Sequence, residues 1–226
     1  MARPSVRREL RRIGLAPAAG AARPASGSPR PPAVLLPGEE PAAGPLDLAL
    51  LFGRAAPAEL EIGTGKGRFL LAEAAAHPDR NYLGLELQAD YARIARERAQ
   101  KRGLQNVRVE RVDAKPFVAL RLAPSSLARM HVFFPDPWPK KRHHKRRLFD
   151  AAFAAAAARA LEPGGFLRVA SDHEEYFASI LETLGAEPAL AHVPDTEAGD
   201  WLCGTNYEAK FLAEGRPIGR AIFRKS

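Results

Sequence analysis

The chain has 226 residues, a single Cys, 27% charged residues and a formal net charge of +8. One Cys excludes a disulfide framework and any multi-Cys metal site, and no apolar run nears the roughly 20 residues that a membrane-spanning helix needs. The Arg-rich start has no apolar segment behind it, so the expectation is a soluble protein in the reducing cytoplasm rather than a secreted one.

The charge is unevenly placed. Residues 1–45 hold seven Arg against Glu9, Glu39 and Glu40, and Lys140–Arg147 reads KKRHHKRR, with six Lys/Arg and no acid. The rest of the chain is therefore slightly acidic. A short cationic block on such a body points to a polyanionic partner, most simply nucleic acid. Residues 1–45 also carry nine of the 20 prolines and no hydrophobic period. A stretch of that kind cannot bury enough apolar surface to offset the entropy of ordering it, so it is expected to be a disordered tail before a domain at 46–226.

From residue 46 short apolar runs alternate with helical patterns. Strands are predicted at Glu59–Ile62, Tyr82–Leu85, Val107–Val112, Met130–Phe134 and Phe166–Ala170. Helices are predicted at Arg68–His77, Ala89–Arg102, Pro116–Leu122, Arg147–Leu161 and Glu174–Leu184. Gly103 is placed to end the second helix and Pro163-Gly164-Gly165 the fourth. This alternation predicts an α/β fold: a doubly wound, mostly parallel sheet with helices on both faces. Weaker strand signals near Ala189–Val193 and Ile218–Arg224 predict an antiparallel C-terminal pair. Ligands in such sheets bind outside the carboxyl ends of the strands, which directs the search for a site.

The first strand runs into Glu61-Ile62-Gly63-Thr64-Gly65-Lys66-Gly67. Gly63, Gly65 and Gly67 would let the backbone turn tightly and approach a ligand, although a Gly cluster alone is turn chemistry as readily as a ligand cradle. The spacing fits neither the dinucleotide fingerprint nor a phosphate-binding P-loop. Glu86 closes the second strand, placed to accept from ribose hydroxyls, and Asp113 closes the third, within reach of a base. Three acids at three strand ends make an acidic, nucleoside-shaped pocket that receives a diphosphate poorly. S-adenosylmethionine, a nucleoside with a sulfonium and an amino group, suits it better than NAD.

The fourth strand ends in Phe133-Phe134-Pro135-Asp136-Pro137-Trp138-Pro139 and runs directly into Lys140, Lys141, Arg142, His143, His144, Lys145, Arg146 and Arg147. Three prolines make a stiff loop that would hold the Asp136 carboxylate and the Trp138 ring over the pocket. The cations that follow are read as phosphate contacts. Adjacent His143 and His144 lack a thiol or carboxylate cluster, so no metal is expected.

From about Phe52 onward the chain resembles the bacterial tRNA (guanine-N7)-methyltransferases. The resemblance rests on Phe52-Gly53-Arg54 with Leu60–Gly67, on Gly84-Leu85-Glu86 and Asp113-Ala114, and on the highly specific block Phe133–Arg147. It continues through Pro163-Gly164-Gly165, Ser171-Asp172 with Tyr176, and Thr205-Asn206-Tyr207-Glu208-Ala209-Lys210-Phe211 with Gly215. Ser171 departs from the family's usual Thr. The resemblance implies methyl transfer from S-adenosylmethionine to guanine N7 in the variable loop of tRNA. It implies that Glu61, Glu86, Asp113 and Asp136 line the cofactor site. Lys140, Asp172 and the run Thr205, Asn206, Tyr207 and Glu208 would line the guanine site, with Asp136 the residue usually assigned as catalytic.

Guanine N7 carries an in-plane lone pair and no proton, so its attack needs no general base. A carboxylate accepting from guanine N1–H or N2–H would stabilise the cation that forms; Asp136, Asp172 and Glu208 are the candidates. Three rival readings stand beside this one, the third a dinucleotide-dependent dehydrogenase, which the glycine spacing disfavours. An amino-methylating enzyme would present consecutive prolines after its Asp or Asn, which Asp136-Pro137-Trp138 lacks. A non-catalytic RNA-binding protein would have no use for the acid set. The sequence leaves the oligomeric state, monomer or homodimer, open.

Overall fold

A computed structural model describes residues 44–194 and 204–226. The expected tail at 1–45 lies outside the described residues except for its last two positions. A single turn of helix, α1 (Leu48–Phe52), leads into β1 (Ala58–Ile62), α2 (Arg68–Ala76), β2 (Asn81–Glu86), α3 (Ala89–Lys101) and β3 (Val107–Arg111). The chain continues as α4 (Ala114–Arg121), β4 (Leu127–Phe133), a 3-10 helix (Lys141–Arg146), α5 (Ala151–Ala160), β5 (Leu161–Ser171) and α6 (Glu174–Gly185). It closes with β6 (Leu190–Val193), α7 (Asn206–Ala213) and β7 (Gly219–Lys225).

The strands form one sheet in the order β3-β2-β1-β4-β5-β7-β6. Neighbours among β1 to β5 pair in parallel, and β7 lies antiparallel between β5 and β6, as the two weak C-terminal signals predict. Every residue of β1 and β2 is buried, because helices cover both faces of a parallel sheet. On one face Leu60, Leu83, Met130 and Val169 meet Phe153 of α5 and Ile180 of α6. On the other, Tyr82 and Val109 meet Leu70 and Leu71 of α2 and Ala92 and Ala95 of α3. The strand order reverses between β1 and β4, which makes their carboxyl ends the expected ligand crevice.

Several boundaries differ from the sequence reading, two of them for a reason the structure shows. Helix α5 begins at Ala151 rather than Arg147, because Asp150 accepts from the Phe153 amide at 2.9 Å as its N-cap and Phe149 is drawn into the core. Pro163-Gly164-Gly165 does not end that helix; Leu161 already pairs with Leu127, and the three residues form a bulge inside β5. At Gly165 a Cβ would lie 2.9 Å from the Glu162 carbonyl oxygen, so only glycine fits there.

Candidate active site

The loop after β1 carries three residues in the left-handed region, with φ of +75° at Gly63, +56° at Gly65 and +77° at Gly67. The Gly63 and Thr64 amides both donate to the Leu85 carbonyl, at 2.8 and 3.2 Å, tying the loop to the end of β2. Gly67 caps α2 and packs against α3: a Cβ there would lie 3.1 Å from the Ala95 Cβ. It is a packing position behind the loop rather than part of the cleft wall. Gly67→Ala is expected to cost about 1–3 kcal/mol through backbone strain and crowding, read by thermal unfolding.

The three acids stand where the sequence puts them. Glu61 is 3% exposed and accepts from the Thr64 hydroxyl at 2.6 Å. Burial pushes its carboxyl up to about 7; the Thr64 hydroxyl and the Leu70 amide pull it down, and the charge of Glu86 adds to the rise. Glu86 accepts from the Gly65 amide at 2.7 Å and the Gln88 amide at 2.8 Å, which holds the loop against β2. Asp113 is exposed and caps α4, accepting from the Lys115 amide at 3.0 Å.

A cleft of about 600 Å³ opens over these strand ends, within the range of nucleoside-sized ligands. Glu61, Gly63, Gly65, Glu86, Asp113 and Asp136 all line it. Leu87, 52% exposed, and Tyr91, 39% exposed, form an apolar wall that the sequence reading missed. They sit just past the strand-end acid at one-turn spacing, which is the signal that could have found them.

Asp136 lies on the loop that follows β4. Phe134 has φ +54° and Trp138 φ +43°, left-handed values that bulky residues adopt only when their surroundings impose them. Prolines 135, 137 and 139 restrict the loop, the Phe134 amide donates to the Ala170 carbonyl at 2.8 Å, and the Phe134 ring packs on Phe211 at 5.4 Å. The Arg146 guanidinium lies 4.9 Å from the Trp138 ring, and the His143 ring meets the same indole edge-to-face at 5.8 Å.

The cationic block folds as a 3-10 helix from Lys141 to Arg146. Lys140, Lys141, Arg142, Lys145 and Arg146 are exposed, and His143 and His144 half-buried. Arg147 differs: at 6% exposed it points inward and lies outside the cationic surface that the sequence assigns it to.

The C-terminal group is only partly brought to the cleft. Thr205, Asn206 and Tyr207 line it, whereas Lys140, Asp172 and Glu208 do not. Thr205 and Glu208 form a capping box on α7: the Thr205 hydroxyl accepts from the Glu208 amide at 3.0 Å, and the Glu208 carboxylate accepts from the Gly204 amide at 2.7 Å. Glu208 is 3% exposed and also pairs with Arg220 at 2.7 Å. Asp172 is paired with Arg216. Arg68, unforeseen from sequence, lines the cleft and donates to the side-chain Oδ1 of Asn206 at 3.1 Å, joining α2 to α7 across the mouth.

Beneath the cleft lies a buried ionic cluster. Glu59, with a side chain wholly buried, accepts from Arg80 at 2.7 Å and Arg129 at 3.2 Å, and meets His131 Nε2 at 2.9 Å. His131 packs against Phe69 at 4.9 Å, and Phe69 meets Phe133 edge-on at 5.0 Å; both phenyl rings line the cleft floor. Among the described residues no three His, Cys, Asp or Glu side chains cluster as a metal site, and no helix is long and apolar enough to cross a membrane.

A family model described as a putative methyltransferase matches residues 55–221. A tRNA (guanine-N(7)-)-methyltransferase of Bordetella pertussis (strain Tohama I) is 42% identical over 184 residues, covering 80% of this chain and 72% of that protein. Its counterpart in Alkalilimnicola ehrlichii is 42% identical over 195 residues, covering 83% of this chain and 81% of that protein. The chain belongs to the tRNA (guanine-N7)-methyltransferase family. Among solved structures, the 16S rRNA methyltransferase KamB superposes with a TM-score of 0.56 at 16% identity, over 85% of this chain and 99% of that one. TrmN from Thermus thermophilus gives 0.53 at 19%, over 78% and 48%. At such identities the likeness shows the fold alone, the Rossmann-like fold of S-adenosylmethionine-dependent methyltransferases. In this member Asp136 lines one cleft with Glu61, Glu86 and Asp113, the acids at or just past the ends of β1, β2 and β3.

Proposed function

We propose that this chain transfers the methyl group of S-adenosylmethionine to N7 of a guanine in the variable loop of tRNA. The observation that carries the reading is the shared cleft. Asp136 and Arg146, from the family's most specific block, line the same space as Glu61, Glu86 and Asp113.

The residues present suit the cofactor. Glu86 keeps acceptor positions for a ribose diol beyond its two amide bonds, since an ionised carboxylate has about four lone-pair sites. Leu87 and Tyr91 offer an apolar wall to a planar base, and Asp113 an acceptor at its edge. Glu61, its pKa raised by burial, favours a ligand that brings a cation. When bound, S-adenosylmethionine supplies an electrophilic methyl group on a sulfonium and leaves as S-adenosylhomocysteine. This chain's own residues orient the guanine, exclude water and stabilise the charge that develops on it.

Of the three carboxylates considered for contact with guanine, Asp172 is paired with Arg216 and Glu208 with Arg220. Asp136 is exposed at the cleft, which supports it as the acceptor for guanine N1–H or N2–H. Thr205, Asn206 and Tyr207 would border the base, and Lys140, Lys141, Arg142, His143, His144, Lys145 and Arg146 would hold flanking phosphates. tRNA of the cytoplasm is the substrate pool this reading implies.

The test is to incubate unmodified tRNA with methyl-labelled S-adenosylmethionine, digest it to nucleosides and separate them. Label in 7-methylguanosine supports the reading. Label in N2-methylguanosine or N6-methyladenosine favours an amino-methylating enzyme, and absence of both label and cofactor binding favours a non-catalytic RNA-binding protein.

A pH dependence follows. A cationic ligand prefers ionised Glu61, so its binding expels a proton below the carboxyl's pKa of about 7. Affinity measured by calorimetry is expected to fall about tenfold per pH unit below that value and to level off above it. In Glu61→Gln this dependence should vanish.

A further inference from the structure

We propose that Arg147 is a positioning residue: it holds the Asp136 loop in its strained conformation and does not contact RNA, unlike the cations before it. The inference rests on the functional reading above. Arg147 Nε donates to the Pro137 carbonyl at 2.8 Å, one residue past Asp136 and one before left-handed Trp138. Its terminal nitrogen pairs with Glu175 at 3.1 Å, and its guanidinium lies 4.6 Å from the Tyr176 ring. Tyr176 is wholly buried in α6, and its hydroxyl accepts from the Phe149 amide at 3.4 Å. Arg147 thus bolts the midpoint of the loop to a rigid helix of the core. At 6% exposed it has no face to offer a phosphate.

The fork geometry matters. A guanidinium can donate to the carbonyl, pair with the carboxylate and stack on the ring at once, whereas an ammonium is a single point charge. Without the bolt, Trp138 and Phe134 are expected to relax from their left-handed conformations, taking Asp136 with them. A shift of about 1 Å in a positioning group can cost up to about a hundredfold in rate.

The test compares Arg147→Lys and Arg147→Met with wild type and with Lys145→Met. Turnover on tRNA and tRNA affinity across a salt series are measured, with thermal unfolding as a check. Arg147→Lys should lower kcat at least about tenfold. Arg147→Met, which removes the charge as Lys145→Met does, should leave the slope of log affinity against log salt unchanged, where Lys145→Met should make it shallower by about one contact. A further variant keeps the test independent of folding. Glu175 is mostly exposed, and Glu175→Gln removes a negative charge beside the cationic surface. RNA contact alone would have this variant bind tRNA more tightly at undiminished kcat. Positioning predicts that kcat falls about two- to fivefold although tRNA binds at least as well.

Wild-type kcat in Arg147→Lys and Glu175→Gln, or a salt slope reduced by about one contact in Arg147→Met, would overturn the inference alone. A wild-type chain that binds tRNA without methylating it would overturn the functional reading, and the inference with it.

Discussion

Asp136→Asn is expected to lower kcat for tRNA methylation by about 10²- to 10³-fold while S-adenosylmethionine still binds. The exchange conserves shape, so the prolines and the Ala170 contact that hold the loop are undisturbed. What changes is charge. As the N7–carbon bond forms, the guanine becomes cationic and its N1–H and N2–H become stronger donors. A fixed carboxylate gains interaction energy at that moment, whereas an amide gains little. The effect therefore belongs in kcat under saturating tRNA rather than in KM. Single-turnover rates on cofactor-saturated enzyme measure it. Near-wild-type turnover would remove Asp136 from the role.

The second large effect is on stability. Glu59→Ala leaves Arg80, Arg129 and His131 without the carboxylate that all three face. Breaking a buried ionic cluster by removing one partner costs about 3–5 kcal/mol, which for a chain of this size lowers the Tm by about 10 °C. The pH dependence has a definite sign. Burial alone would raise the Glu59 pKa, but the hydrogen bond from His131, with the charge of Arg129 and the hydrogen bond from Arg80, holds it well below its ordinary 4.5. That stabilisation is present above pH 4.5 and is lost as pH falls towards the folded value. Burial holds His131 below its ordinary 6.5, against the pull of Glu59, so the unfolded chain takes up protons first there as well. Between pH 6.5 and 4.5 the loss from His131 is opposed by Glu61, whose raised carboxyl takes up its proton first in the folded chain, so wild type should lose stability most steeply below pH 4.5, from Glu59. Glu59→Ala should lose the steeper part. Scanning calorimetry between these limits reads both effects, and a Tm unchanged by Glu59→Ala would contradict them.

Much of the fold was legible because its signals are local. Each of β1 to β5 is an apolar run bounded by turn residues, and Glu61, Glu86 and Asp113 mark three strand ends directly. What was not legible depends on partners distant in sequence. The sequence pattern starts α5 at Arg147, because helical periodicity runs back through the cations. Asp150 and the inward contacts of Arg147 with Pro137 and Tyr176 settle it instead. Pro163-Gly164-Gly165 has the composition of a helix stop but serves as a bulge, since pairing with β4 decides its geometry. Glu59 looked like the first residue of an ordinary strand, and its partners arrive from two other segments of the chain. The capping box at Thr205 and Glu208 was the reverse case. Its spacing was visible, but the family resemblance assigned those residues to guanine. The structure uses Glu208 to anchor α7, with Asn206 and Tyr207 at the cleft.

The destination of the methyl group is the most direct readout of what this protein does. Unmodified tRNA treated with this protein and S-adenosylmethionine, then subjected to strand scission specific for 7-methylguanosine, gives the answer at nucleotide resolution. The predicted result is a single cut at a guanine of the variable loop that requires both protein and cofactor. A tRNA pool left uncut after full methylation, or cut only outside that loop, would contradict it.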